Sequence, residues 1–165
     1  MKVQLTDRHI SIDAPRPLVF QMLGAFGRGH LPGDEGESSK VLERDGDRLT
    51  VEFFTMDGKR RYRTVEEVML FPPERITFRH LEGPLHHSSE EFLLEEVAGG
   101  TRLSYRGDIQ CRMAWMPGMG WLVARFYVKP KYDRVIRQHM ERLKIAAQAR
   151  AARSHVFRRQ APASA

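Results

Sequence analysis

The stretch from Pro117 to Arg153 constrains the chain most, because it is the only long segment with helical periodicity. Apolar residues recur at Leu122, Phe126, Ile136, Met140, Leu143 and Ala147. The steps are three, four or a multi-turn interval, which predicts an amphipathic helix with one apolar stripe. Pro117 suits a first turn, where its missing N–H is not needed. Pro130 lies inside the pattern and predicts a kink near Lys129, since it removes one backbone bond and crowds the preceding turn. At ~1.5 Å per residue this helix spans roughly 50 Å. It needs an apolar surface to lie on, and its far end is expected to project.

The rest of the chain supplies strands. Val3 to Ile12 reads as a first strand, and Asp13 as the N-cap of a short helix with Val19, Phe20 and Leu23 toward the core. The glycines and proline of 27–36 mark a connection. Six further runs follow: Ser38–Arg44, Leu49–Met56, Arg60–Phe71, Arg75–Leu81, Ser88–Val97 and Thr101–Met113. Asp45-Gly46-Asp47, Asp57-Gly58, Pro72-Pro73, Gly83-Pro84 and Gly99-Gly100 separate them, and turns this tight join only antiparallel neighbours. Ile76 and Phe78, Phe92 and Leu94, and Leu103, Tyr105, Ile109 and Cys111 each fall on one face, with polar residues opposite. The expected architecture is α+β: a seven-stranded curved antiparallel sheet wrapped around the long C-terminal helix, with a short helix after strand 1.

Charge is divided unevenly. The net charge is +6, yet 112–159 carries 12 Lys or Arg against two acids, while the remainder has 15 basic and 19 acidic residues. This is the pattern of a solvated helix face, or of one that meets an anionic partner. Arg125, Lys129, Lys131, Arg134 and Arg137 form the cluster expected to approach an anionic membrane. No nucleic-acid-reading module or exposed stacking aromatic is legible, so nucleic acid is not expected as a partner. No apolar run of ~18 residues is present, the start MKVQLTDRH lacks a secretory core, and Cys111 is the single cysteine. The expected location is cytoplasmic.

Several phrases resemble the SRPBCC superfamily of START-like, helix-grip proteins, which includes polyketide cyclases and dehydrases and lipid-transport domains. They are Ile10-Ser-Ile-Asp-Ala-Pro-Arg-Pro-Leu-Val-Phe20, Phe71-Pro-Pro-Glu-Arg-Ile-Thr-Phe78, Gly83-Pro84, Gly99-Gly-Thr-Arg-Leu-Ser-Tyr105, and Leu143-Lys144 before an Ala-rich run. The resemblance covers roughly 3–150 and implies one ligand-binding domain, bounded at 1–153; the remaining 154–165, ending QAPASA, reads as an unpacked, flexible tail. It also implies a cavity between sheet and helix for a hydrophobic small molecule such as a lipid, isoprenoid or polyketide. Periodicity alone would read the same apolar stripes as solid core.

The expected ligand-binding residues are Tyr62, Ile76, Phe78, His80, Phe92, Leu94, Tyr105, Ile109, Trp115, Leu122, Phe126 and Met140. A cyclase or dehydrase would use His80 or Glu66 as general base, with Tyr62 or Tyr105 donating to the developing enolate. Glu90 is a further inner-face candidate. The plainer reading of His80 is a hydrogen-bonded histidine near the Gly83-Pro84 turn. For the glutamates it is solvent exposure, because the adjacent pairs Glu66-Glu67 and Glu90-Glu91 must each split across the two faces. A third reading is a filled, non-catalytic module docking through the basic helix. No metal-ligand spacing, nucleophile elbow or phosphate loop is present, so neither metal nor cofactor is expected.

Overall fold

The computed structural model describes residues 2–28, 37–111 and 119–160, side chains at 57 and 155–160 excepted. The strands are β1 (Val3–Gln4), β2 (Arg8–Ile12), β3 (Ser38–Asp45), β4 (Arg48–Asp57), β5 (Arg60–Phe71), β6 (Arg75–Glu82), β7 (His87–Val97) and β8 (Gly100–Gln110). All pair antiparallel in the order β1-β8-β7-β6-β5-β4-β3, with β2 also on β8. The first expected strand is therefore two pieces on one partner. Gln4 pairs with Asp108 but Arg8 with Tyr105, so four steps on one strand face three on the other, and the extra residue is a bulge. Thr6, at the bulge, is tied to the helix: its N–H and hydroxyl donate to Asp133 at 3.0 and 2.7 Å, and Lys129 Nζ donates to its hydroxyl at 2.8 Å.

The first helix, α1, spans Arg16–Leu23 and buries Val19, Phe20 and Leu23. Its N-cap is Pro15 (φ −61°, ψ 139°), with no side-chain cap, so Asp13 does not cap it. The proline's fixed φ sets the entry angle, and the Asp13 N–H donates instead to Gln148 Oε1 at 3.1 Å.

The C-terminal helical segment starts as α2 (Met119–Val123), widens into a π turn (Ala124–Val128) and continues as α3 (Lys129–Gln160). The effect of Pro130 appears as this π turn. Lys129 N–H reaches back five residues to the Ala124 carbonyl, and the wider turn accommodates a residue that cannot donate and would crowd the preceding carbonyl. The helix runs to Gln160, so 154–160 extends it where a tail was expected to begin.

The inward stripe is Gly120, Ala124, Val128, Tyr132, Ile136, Met140, Leu143, Ala147 and Ala151. Leu122 and Phe126 are not on it. They are 43% and 70% exposed, which corrects the expectation that they face the sheet. The π turn of Ala124–Val128 separates both from Ile136, and its wider winding rotates them off the stripe that follows.

The core is closed at one end of this scaffold. Leu143, Ala147 and Met140 of α3 pack with Val19 and Phe20 of α1 and with Ile12, Leu94 and Leu103 of the sheet, all buried. Ile76 lies beside Leu70 and the end of α1 at Gly24. Each large side chain buried here contributes roughly 2–3 kcal/mol. On the outer face, acids are paired: Glu67 with Arg48 and Arg79, Glu91 with Arg75 and Arg106, and Arg63 with Glu52 and Glu82. Among the described residues, no helix is long and apolar enough to cross a membrane.

Candidate functional site

At the other end of the sheet the helix stands off, and a cavity of about 600 Å³ lies between β4–β7 and the segment 123–139. The sequence builds it by a change along the inner face. β5 reads Tyr62, Thr64, Glu66 and then Val68, Leu70, while β7 reads Ser88, Glu90 and then Phe92, Leu94. The apolar ends pack against α1 and α3; the polar ends flank the cavity, with Tyr132 of α3 reaching Ser88. The wall between them is aromatic. Phe26 meets Phe53 and Phe78 edge-on at 5.7 and 5.9 Å between centroids, and Phe78 meets Phe92 at 6.0 Å, an arrangement the ring quadrupoles favour. Exposure grades the site from mouth to interior. Tyr127 is 60% exposed, and Glu66 and Glu90 are 8% and 9% exposed.

The two interior glutamates define the electrostatics. Burial pushes the Glu66 carboxyl up to about 8, helped by the charge of Glu90 and opposed by a hydrogen bond from Thr64. Burial likewise pushes Glu90 up to about 7, opposed by the Tyr105 hydroxyl, which donates to Glu90 Oε2 at 2.8 Å. Their chain neighbour Glu67 goes the other way, held down by the Arg79 and Arg48 guanidiniums. The pleat alone separates these outcomes. Tyr132 on α3 completes the interior. Its hydroxyl is bonded to Ser88 and held far above its ordinary range, first by burial and then by the charges of Glu90 and Glu66. Gly107 opposite Glu90 leaves the space this cluster needs, because a Cβ there would lie 3.0 Å from Glu90 Cγ and 3.2 Å from the Tyr105 hydroxyl.

Of the expected site residues, Tyr62, Glu66, Phe78 and Phe92 line the cavity. Tyr105 is buried behind Glu90 and acts on the site through that carboxyl. His80 is not on the wall. Its series continues inward opposite Glu66, but the ring is bonded to the Leu85 backbone and tucked under the turn. There a Cβ on Gly83 (φ +144°) would come within 2.9 Å of its Cε1. Burial, then His87 and His86, lowers its pKa. Ile76, Leu94 and Met140 belong to the closed core, since they sit on the inner face at the end where the helices pack, while Ile109, paired with Ser88 and Val3, is fully buried without reaching the cavity. Leu122 and Phe126 face outward, and Val123, Tyr127 and Val128 take their place at the cavity. Trp115 lies outside the described residues.

Sequence reasoning missed Phe26, Phe53, Tyr132 and His139. Phe53 continues the inward series Leu49, Val51, and Tyr132 lies four residues before Ile136, so both carried a periodic signal. Among the expected basic cluster, Lys129 is engaged internally, 2.9 Å from Asp133 and bonded to Thr6; that is a correction. Lys131 sits over the Tyr127 ring at 4.1 Å and donates to its hydroxyl at 3.0 Å, at the cavity mouth. Arg125, Arg134 and Arg137 are exposed. Among the described residues, no group of three or more His, Cys, Asp or Glu is placed to hold a metal ion.

The sequence matches no protein-family model and no curated protein. Solved structures do match. The di-domain aromatase/cyclase BexL from the BE-7585A biosynthetic pathway is 18% identical with a TM-score of 0.71, covering 89% of this chain and 50% of its own. The chain thus spans about half the length of that protein. The Zhui aromatase/cyclase from Streptomyces sp. R1128 is 19% identical over 100% of both chains, TM-score 0.61. A START superfamily protein from Mycobacterium smegmatis is 14% identical, TM-score 0.64, over 92% of this chain and 99% of its own. The fold is the helix-grip fold expected from the sequence. At these identities the likeness fixes fold and leaves function to the site.

Proposed function

We propose that this protein binds a hydrophobic small molecule of lipid, isoprenoid or polyketide size in the cavity beneath the helix. The observation that carries the reading is the cavity itself: about 600 Å³, walled by interlocked aromatics and reached past Tyr127, within the size range of small-molecule sites. A second reading, turnover of a polyketide by a cyclase- or dehydrase-like enzyme, is supported by Glu66 and Glu90. Their raised pKa values keep a proton on the pair near neutral pH, the condition for one carboxyl to act as acid and the other as base. In that reading Tyr62 is the hydroxyl in reach, and His80 drops out.

Native mass spectrometry of the protein purified from its own host tests both. A retained apolar ligand is expected; protein that emerges bare, and stays bare after incubation with apolar extracts, would contradict the binding reading. A ligand released with its mass lowered by one water would support turnover, and one released unchanged would leave carriage.

The mouth also supports a peripheral contact with anionic membranes. Leu122, Phe126 and Tyr127 are exposed side by side with Arg125, and Arg134 and Arg137 continue the charge along the helix. Apolar insertion beside cations is the chemistry of interfacial binding, worth about 1 kcal/mol per basic residue near an anionic surface. Reversing Arg125, Arg134 and Arg137 to Glu should lower partitioning onto phosphatidylserine vesicles by at least about tenfold. Sedimentation with vesicles that is unaffected by the reversal would remove the proposal.

A further inference from the structure

We propose that the cavity selects its ligand by a hydrogen-bond-donating head group, best a basic amine, seated between Glu66 and Glu90 with its apolar or aromatic body against the phenylalanines. This deepens the hydrophobic-ligand reading and rests on it. Both glutamates are more than nine-tenths buried and line the same cavity; Thr64 donates to Glu66 and Tyr105 to Glu90. A carboxyl keeps more than one acceptor site in either protonation state, so acceptor capacity remains on the cavity wall.

Charge points the same way. Lys131 is the sole Lys or Arg on the cavity wall among the described residues, and it is engaged with Tyr127 at the mouth. A ligand carboxylate would add a further acid to a wall that already carries Glu37, Glu66 and Glu90. An ammonium does the reverse. Burial holds a proton on the pair near neutral pH, and an ammonium between the two carboxyls takes the place of that proton as the neutralising charge. Phe53, Phe78, Phe92 and Tyr132 line the same cavity, and an aromatic wall tolerates a cation where it would not attract an anion. A hydroxyl, able to donate but uncharged, should rank between amine and acid.

The test titrates the full chain at neutral pH with three ligands that share one ring system: 2-(2-naphthyl)ethylamine, the corresponding naphthyl alcohol and 2-naphthylacetic acid. The amine is expected to bind at least about tenfold tighter than the acid, the step one charge-assisted hydrogen bond supplies. The protein's net charge of +6 biases nonspecific attraction toward the acid, so surface binding cannot mimic this order. In Glu66→Gln/Glu90→Gln the amine's advantage should fall to about twofold or less with the alcohol still bound; Glu66→Gln alone gives a second reading if the pair folds poorly. Acid binding as tight as amine, or an amine preference that survives both substitutions, would overturn head-group selection and leave the hydrophobic site standing. Failure of all three ligands to bind would overturn both.

Discussion

Replacing Glu66 with Gln is expected to stabilise the protein by roughly 2–4 kcal/mol near pH 9 and by less than about 1 kcal/mol near pH 5. In the fold the Glu66 carboxyl holds its proton up to about 8, against 4.5 for the unperturbed group, because burial and Glu90 disfavour its charge. The folded state thus binds this proton more tightly than the unfolded chain. That stability is fully present below pH 4.5 and is lost as pH rises through about 8. Glutamine copies the shape and donor capacity of the protonated acid but never ionises, so it escapes the loss. Glu90→Gln should act in the same direction over a window ending near 7, with part of its gain offset where Tyr105 loses a charged acceptor. Denaturant midpoints from pH 5 to 9 for wild type and variant read the difference directly, and other titrating groups cancel in it. Parallel curves across that range would show that Glu66 is not held protonated by its surroundings.

How far the sequence exposes this arrangement can be followed residue by residue. Strand and turn signals placed β3 to β8 within a residue or two at most ends, because Asp-Gly and Gly-Gly turns leave antiparallel pairing little freedom. Val19, Phe20 and Leu23 were legible in α1 for the same local reason. The bulge between Gln4 and Arg8 was not, because it is defined by the partner strand and by Asp133, more than a hundred residues away. The helix phase failed at the π turn, where the 3.6-residue period no longer applies across Ala124–Val128. The division of the inner face into core and cavity was half legible: Tyr62-Thr64-Glu66 on β5 and Ser88-Glu90 on β7 break otherwise apolar alternations at the same end of the two strands that flank β6. Periodicity marks which face a residue takes. It does not mark how far along that face a helix comes down, and so Ile76, Leu94 and Met140 read like cavity residues while sitting in closed core.

Filling the cavity from two sides is the second large effect. Cys111 and Ile136 both border it, one beyond the end of β8 and the other on the helix. Neither belongs to the fully buried core, so larger side chains have space to grow into and the cost of overpacking stays small. In Cys111→Trp/Ile136→Trp the two indoles would occupy volume a ligand needs. Displacing a ligand from about 60 Å² of apolar wall costs roughly 1.5 kcal/mol, or tenfold in affinity. Leu122→Trp adds an equal ring on the outward face and serves as the control. The decisive measurement is the titration of all three proteins, each verified as folded, with an uncharged naphthalene fluorophore. The account predicts one site in wild type and Leu122→Trp, and affinity at least about tenfold weaker in the filled variant. Equal affinity in wild type and a folded Cys111→Trp/Ile136→Trp would contradict the claim that ligands bind beneath the helix.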